Sequence, residues 1–113
     1  MLTGALTEFI TGKATLLKST DDLDNIKTEG WYYDNAGNNP ANTPLGSNNI
    51  YRVIKQGNTS RCVQFCFCLN MYNQTYGLAY RIFGITSDSW TSWRKIASSP
   101  ISTNTVTNNQ ENI

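Results

Sequence analysis

A chain of 113 residues with nine Lys or Arg, eight Asp or Glu and no histidine can bury one modest domain core and is too short for two. Its formal net charge of +1 argues against nucleic acid or an anionic membrane surface as the main partner, because both are bound by concentrated basic patches. No apolar run approaches the length of a membrane span, and the first residues lack the pattern of a secretory signal, so we expect a soluble protein made in the cytoplasm.

Residues 1–18 are predicted to form an N-terminal segment for attachment and oligomerisation. Its apolar residues recur at the spacing of a helical stripe, at Leu2, Ala5, Leu6, Phe9 and Ile10. A helix this short is marginal alone in water, so the stripe needs a surface to pack on, which a sister chain or another part of a particle would supply. A poorly ordered terminus is the alternative interpretation.

Residues 19–97 are predicted to form a mainly β domain that opens with a helical turn at 21–26. Ser19 or Thr20 is expected to cap this turn, and acidic residues at its start suit the helix dipole. Strands are expected where short apolar or aromatic runs alternate with turn signals, at 31–34, 50–56, 61–69, 76–83 and 93–97. The predicted fold class is therefore a small antiparallel sheet with one or two short N-terminal helical turns.

The longest predicted loop covers residues 35–49, which are rich in asparagine and contain two prolines and two glycines. Long loops of this kind are commonly functional or mobile. A shorter polar connection follows at 70–75. Residues 98–113 form a polar C-terminal tail without a core pattern, either disordered or lying on a neighbour.

All three cysteines fall in one predicted strand, at Cys62, Cys66 and Cys68, where a period of two places them on the same face. The last two would lie about 6.5–7 Å apart with parallel side chains, at or beyond the range of disulfide geometry. We therefore expect free thiols that serve as small buried apolar side chains. The opposite face of this strand carries Val63, Phe65, Phe67 and Leu69. The strand is therefore predicted to be central in the sheet and buried on both sides.

Catalytic chemistry finds little support in these residues. Without histidine, no Ser-His or Cys-His pair forms and the usual acid/base group near neutral pH is missing. Most carboxylates that would serve glycoside hydrolysis are bunched at 21–24, where a solvated capping turn is the ordinary explanation. Neither a glycine-rich phosphate loop nor metal-ligand spacing is present in the sequence. We therefore expect no enzyme activity, no catalytic residue, no cofactor and no metal site.

Several short motifs follow one another along residues 21–97. In chain order they are Asp22-Leu23-Asp24-Asn25-Ile26, Glu29-Gly30-Trp31-Tyr32-Tyr33, Asn39-Pro40, a strand with Gln64, Tyr80-Arg81 and Trp90-Thr91-Ser92-Trp93-Arg94-Lys95-Ile96. In this order and spacing the chain resembles the knob domain of phage and pyocin tail fibres. In that family a short turn precedes an aromatic strand, and the domain closes on an aromatic and basic segment. The cysteines at 66 and 68 depart from the family pattern.

The resemblance implies a homotrimeric, mainly β module at the tip or surface of a virion fibre. It also implies recognition of the bacterial envelope, with a surface saccharide as ligand and other virion proteins as partners. Nucleic acid and membrane insertion are not expected. The alternative is a purely structural virion component, such as a head fibre, a decoration protein or a tail-tip protein, that uses the same module for assembly.

The same resemblance implies structural roles for the motif residues Gly30, Tyr32, Gln64, Tyr80, Arg81, Trp90, Trp93 and Arg94. The two tryptophans are expected to cover the sheet, with Arg94 stacked on a ring, and direct ligand contact by them is the alternative. For Arg81, the candidate partners are Asp34, Asp88 or a charged sugar.

Ligand contact is expected from exposed rings and amides beside the long loop and the 70–75 connection. Sugars stack their C–H faces on aromatic rings and form hydrogen bonds with planar amides. Loops on a rigid sheet also vary without unfolding the domain, which suits a determinant of host range. The predicted ligand-binding residues are Tyr33, Asn38, Asn39, Tyr72, Asn73 and Gln74.

Overall fold

The computed structural model describes residues 13–44, 46, 48–69 and 76–97. In these residues the chain forms one six-stranded sheet with almost no helix, which confirms the predicted mainly β class. The strands are β1 (Thr15–Leu16), β2 (Gly30–Tyr33), β3 (Asn49–Lys55), β4 (Cys62–Cys68), β5 (Tyr76–Phe83) and β6 (Arg94–Ala97). Their order in the sheet is their order in the chain.

The sheet is mixed, so the prediction of a purely antiparallel sheet is wrong at one edge. Each pair from β2 to β6 is antiparallel, whereas β1 runs parallel to β2. Residues 17–29 supply the long crossover that a parallel pair requires. The sequence assigned residues 13–18 to the N-terminal segment, yet they contribute β1 and the buried Leu17 to the sheet.

The predicted helical turn at 21–26 is a 3-10 turn at Leu23–Asn25. Its cap is Asp22, whose carboxylate accepts a hydrogen bond from the backbone N–H of Asp24 at 2.9 Å. The prediction of Ser19 or Thr20 as the cap is wrong, because the extended residue directly before the first helical residue, Leu23, is Asp22. Leu23 is fully buried and anchors the turn against the sheet.

Alternation along the strands divides the sheet into two faces. We call one of them the core face, because the segments at 17–26 and 90–93 lie against it. Its buried residues include Asn49, Tyr51, Val53, Cys62, Gln64, Cys66, Cys68, Ala79, Arg81 and Phe83. All three cysteines are free and buried, as predicted. Burial raises the pKa of the Cys62 and Cys66 thiols, so little reactive thiolate forms there near neutral pH.

We call the opposite side of the sheet the aromatic face. It carries Trp31, Tyr33, Ile50, Arg52, Ile54, Val63, Phe65, Phe67, Leu78, Tyr80, Ile82, Arg94 and Ile96. The rings of Phe65 and Phe67 lie 6.4 Å apart between their centroids, and Phe67 remains 37% exposed. Within the described residues, the prediction that β4 is buried on both sides is therefore wrong, because only its cysteine side is covered.

Several predictions fall on residues outside the described part of the chain. They concern the stripe at Leu2, Ala5, Leu6, Phe9 and Ile10, the connection residues Tyr72, Asn73 and Gln74, and the tail at 98–113.

Candidate functional site

The motif residues meet on the core face in a group that we call the Arg81 cluster, formed by Asp24, Gln64, Arg81, Trp90 and Trp93. Gln64 and Arg81 lie opposite each other on β4 and β5. Arg81 Nε donates to Gln64 Oε1 at 2.9 Å, and Arg81 Nη1 donates to Asp24 Oδ1 at 2.8 Å. Gln64 Nε2 donates in turn to the carbonyls of Leu23 and Ile26 at 2.7 and 2.8 Å. The cluster therefore ties the 3-10 turn to the centre of the sheet.

Two indole rings enclose the guanidinium of this cluster. Arg81 Cζ lies 4.2 Å from the ring centroid of Trp90 and 4.7 Å from that of Trp93. Cation–π attraction strengthens when the cation is removed from water, and the Arg81 side chain is only 5% exposed. Trp90 Nε1 donates to the Asp24 carbonyl at 3.1 Å, and Trp93 Nε1 donates to the Asn42 carbonyl at 2.9 Å. These contacts support the structural role predicted for both tryptophans.

Two details of the predicted cluster differ from the structure. The arginine stacked on the tryptophans is Arg81, so the prediction that Arg94 fills this role is wrong; Arg94 lies on the aromatic face. The carboxylate partner of Arg81 is Asp24, and neither Asp34 nor Asp88 pairs with it. Sequence reasoning missed this pair because the two residues are 57 positions apart.

A polar cleft of about 570 Å³ opens beside the Arg81 cluster. Besides members of the cluster, its lining includes Lys27, Asn42 and Asp88. The Asp24 side chain is 45% exposed there. Arg81 Nη2 is buried and has no hydrogen-bond partner among the described residues. The cleft combines exposed polar groups with the Arg81 guanidinium, which already bonds to Gln64 and Asp24 and contacts two indole rings.

A second cavity, of about 520 Å³, lies where β2 ends and β3 begins. We call it the Tyr33 cavity, and it is lined by Ala14, Tyr33, Asp34, Asn35, Asn48, Asn49, Ile50 and Leu69. The structure thus places the ring of Tyr33 beside amides from both ends of the long loop, the chemistry that the sequence predicts for a sugar site. Leu69, the last described residue before position 70, also lines this cavity.

A buried polar network lies at the Tyr33 cavity. Tyr51 Oη donates to Asp34 Oδ2, and the backbone N–H of Asn49 donates to Asp34 Oδ1 at 2.9 Å. Asn49 Nδ2 donates to the Gly46 carbonyl at 3.0 Å. Burial and the hydrogen bond to Asp34 raise the pKa of Tyr51, so its hydroxyl stays protonated and acts as a donor.

One acceptor of this network is left over. Asn49 is 1% exposed, and its Oδ1 has no hydrogen-bond partner within the described residues. A buried acceptor without a donor costs free energy, so a hydroxyl that reached it would be bound favourably. Sequence reasoning missed the site roles of Asp34 and Asn49. The available signal was the alternation of Asn49, Tyr51 and Val53, which directs all three to the core face.

The structure does not bring the predicted ligand residues Asn38 and Asn39 into this cavity. Asn38 Oδ1 accepts a hydrogen bond from the backbone N–H of Ser19 at 2.7 Å. Asn39 Nδ2 donates to the Gly46 carbonyl at 2.6 Å. Both side chains hold the loop in place, so a position in an asparagine-rich loop does not by itself identify a residue that contacts ligand.

Asn42 joins the loop to the cap of the 3-10 turn, and this contact leads to a prediction. Its φ of 66° is in the left-handed region, and its Nδ2 donates to Asp22 Oδ1 at 2.8 Å. This bond, followed by the one from Asp24 N, lowers the pKa of Asp22. Asn42→Gly keeps the positive φ accessible and removes the bond. We expect the pKa of Asp22 to rise toward the ordinary value of an aspartate in this variant, as followed by NMR titration of its carboxyl carbon.

The sign of the linked stability effect follows from the lowered pKa. The Asp22 carboxylate stabilises the folded state above the unfolded pKa, and this contribution is lost as the pH falls through the folded pKa. Asn42→Gly should therefore remove part of the acid sensitivity of folding below about pH 4. The matched control is Asn48→Gly, at the other asparagine with a positive φ, of 63°. An equal rise of the Asp22 pKa in both variants would contradict the assignment.

No family model matches the chain, and neither the curated proteins nor the solved structures include a significant match to it. In the part of the chain that the structure describes, no helix has the length and apolar character needed to cross a membrane. The same residues contain no group of three or more His, Cys, Asp or Glu side chains placed to hold a metal ion.

Proposed function

We propose that this chain is a non-enzymatic, receptor-binding fibre module of a virion that recognises a saccharide on the bacterial cell surface. The observation that carries the proposal is the Arg81 cluster. One of its hydrogen bonds joins Trp90 to Asp24 across 66 positions, and the motifs that supply its members together resemble the tail-fibre knob. Motifs that matched the family only by chance would not be expected to form one hydrogen-bonded group. The contacts between them therefore support the resemblance.

The Tyr33 cavity is the proposed saccharide site. It offers a half-buried ring for stacking and the amides of the exposed Asn35 and Asn48 for hydrogen bonds to sugar hydroxyls. The loop that forms one wall is fixed by its own hydrogen bonds, so little conformational freedom is lost when a ligand binds.

Replacing Tyr33 with alanine is expected to weaken binding to host cells by about two- to tenfold, because one stacking contact contributes roughly 0.5–1.5 kcal/mol. The melting temperature should change little, since the ring is half exposed. Whole-cell binding and a glycan array measure the effect. Tyr80→Ala, the same substitution on the aromatic face, is the control and should bind like the original chain. Equal binding by all three chains would remove the Tyr33 cavity as the site.

Assembly as a homotrimer with other virion proteins is proposed on the resemblance. Sedimentation equilibrium should give the mass of three chains, and a monomer would contradict this part of the proposal. The second candidate function is a purely structural virion component, since the Arg81 cluster would serve assembly equally well. Saturable binding to host cells separates the two functions, because only the receptor-binding module should show it.

A further inference from the structure

The aromatic face is an apolar surface without a cover among the described residues. Trp31 is 43% exposed, Phe67 37% and Ile96 43%, although each lies within the sheet. Their neighbours join them into one continuous surface, because Trp31 contacts Phe67 and Phe65 contacts both Phe67 and Tyr80, with ring centroids 6.3–6.4 Å apart. Contiguous apolar surface of this kind marks a place where another element packs.

The charges on this face restrict what can cover it. Arg52 Cζ lies 5.0 Å from the ring centroid of Trp31, and Arg94 projects from β6 on the same side. None of the described residues on this face is a carboxylate. Two copies stacked face to face would therefore bring arginines toward arginines, which is unfavourable. A suitable cover is apolar, with a modest negative charge.

One segment of the chain has this composition. Residues 2–10 carry the apolar stripe described above, and Glu8 is the single charged side chain in residues 1–12. On a helical wheel, Glu8 falls at the flank of the stripe. An isolated helix of this length is only marginally stable in water, so the segment would be stabilised by packing on an apolar surface. The aromatic face is such a surface.

The connection of this segment to the sheet also fits. It joins the described residues just before β1, where Leu16 lies beside Tyr33 on the aromatic side and is 36% exposed. From Ile10 to Thr15 the chain can span at most about 17 Å. The distance across the sheet from β1 to β4 is about 14 Å, since neighbouring strands lie about 4.8 Å apart. Ile10 can thus reach Phe65 and Phe67 of its own chain, and the short connection gives its own face a high effective concentration.

We propose that residues 2–10 pack as a short amphipathic helix on the aromatic face of their own chain. The stripe covers Trp31, Phe65 and Phe67, and Glu8 lies on the side of the arginines. From the sequence alone, the stripe was expected to pack on a sister chain or on another part of a particle. In this arrangement the aromatic face of the same chain provides that surface. The inference does not depend on receptor binding.

Hydroxyl-radical footprinting of the full chain, resolved by residue with mass spectrometry, tests the arrangement. The test variant is Leu6→Ser/Phe9→Ser, and the matched control is Thr3→Ser/Thr7→Ser, which changes residues of the same segment outside the stripe. We expect severalfold faster oxidation of Trp31 and Phe67 in the test variant only. Trp90, on the core face, serves as the internal reference and should be unchanged. Equal oxidation of Trp31 and Phe67 in the two variants would overturn the proposal.

Two further measurements keep the result decisive. Protection of Trp31 should persist over about a hundredfold dilution, because only association between chains depends on concentration. Loss of protection on dilution would assign the cover to a second copy and overturn the proposal, while supporting the homotrimer. If the double variant does not fold, Glu8→Arg leaves the apolar stripe intact and tests the attraction between Glu8 and the arginines of the aromatic face. Faster oxidation of Trp31 in that variant supports the proposal, and an unchanged rate counts against it.

Discussion

The substitution Gln64→Leu is expected to lower the free energy of unfolding by about 3–6 kcal/mol. Gln64 is fully buried and makes three hydrogen bonds, so leucine would fill its volume without replacing them. The carbonyls of Leu23 and Ile26 and the Nε of Arg81 would then be buried without a partner. Each such group costs about 1–3 kcal/mol, and the charged one lies toward the upper end. Chemical denaturation followed by circular dichroism measures the change.

Gln56→Leu is the control for this prediction. The residue is exposed in the turn after β3, so the same substitution there should change stability by no more than about 0.5 kcal/mol. If both variants unfold at the same denaturant concentration, the hydrogen bonds of Gln64 do not hold the 3-10 turn to the sheet. Gln64→Glu would be a poor alternative probe, since a carboxylate cannot donate to the two carbonyls.

Trp93→Ala is expected to lower the free energy of unfolding by about 3 kcal/mol, the lower end of the range for removing a large aromatic side chain from a core, because the ring is partly exposed. The variant loses one of the two rings that enclose Arg81 and the bond to the Asn42 carbonyl. Thermal and denaturant unfolding measure the loss. Trp93→Phe restores a ring without the indole N–H and should recover most of the stability.

The same variant tests the alternative role of the tryptophans. If Trp93→Ala folds with the original stability and loses binding to host cells, the saccharide site is the polar cleft beside the Arg81 cluster. The structural assignment of the tryptophans would then be wrong. Loss of stability with binding retained under folding conditions agrees with the assignment to the Tyr33 cavity.

Local pattern predicted most of the sheet. Aromatic and β-branched alternation places β5 at 76–83, as observed, and the starts and ends of the other long strands within about one residue. The strand β1 was missed because two residues cannot show alternation. Its parallel pairing with β2 depends on the path of the crossover at 17–29. That path is set by tertiary packing and cannot be predicted from local sequence. The burial of β4 was misjudged for a related reason, since both of its sides are apolar and only one is covered in the described residues.

The candidate sites were predictable in part. The resemblance assigned structural roles to every member of the Arg81 cluster except Asp24, and surface chemistry predicted that Tyr33 lies beside the loop amides. The pairing of Arg81 with Asp24 was beyond reach, because several carboxylates are equivalent until the chain is folded. Loop composition also could not separate Asn38 and Asn39, whose side chains hold the loop in place, from Asn48 and Asn49, which line the cavity.

The order of the strands has a consequence for how the protein folds. Because neighbours in the sheet are neighbours in the chain, each strand from β4 onward can join the preceding strand by closing a short loop, which favours rapid folding. The hydrogen bonds that Asp24 accepts from Arg81 and Trp90 instead close loops of 57 and 66 positions, and closing such loops has a larger entropic cost. These contacts should form after the main folding barrier. They therefore govern how slowly the finished domain opens more than how quickly it folds.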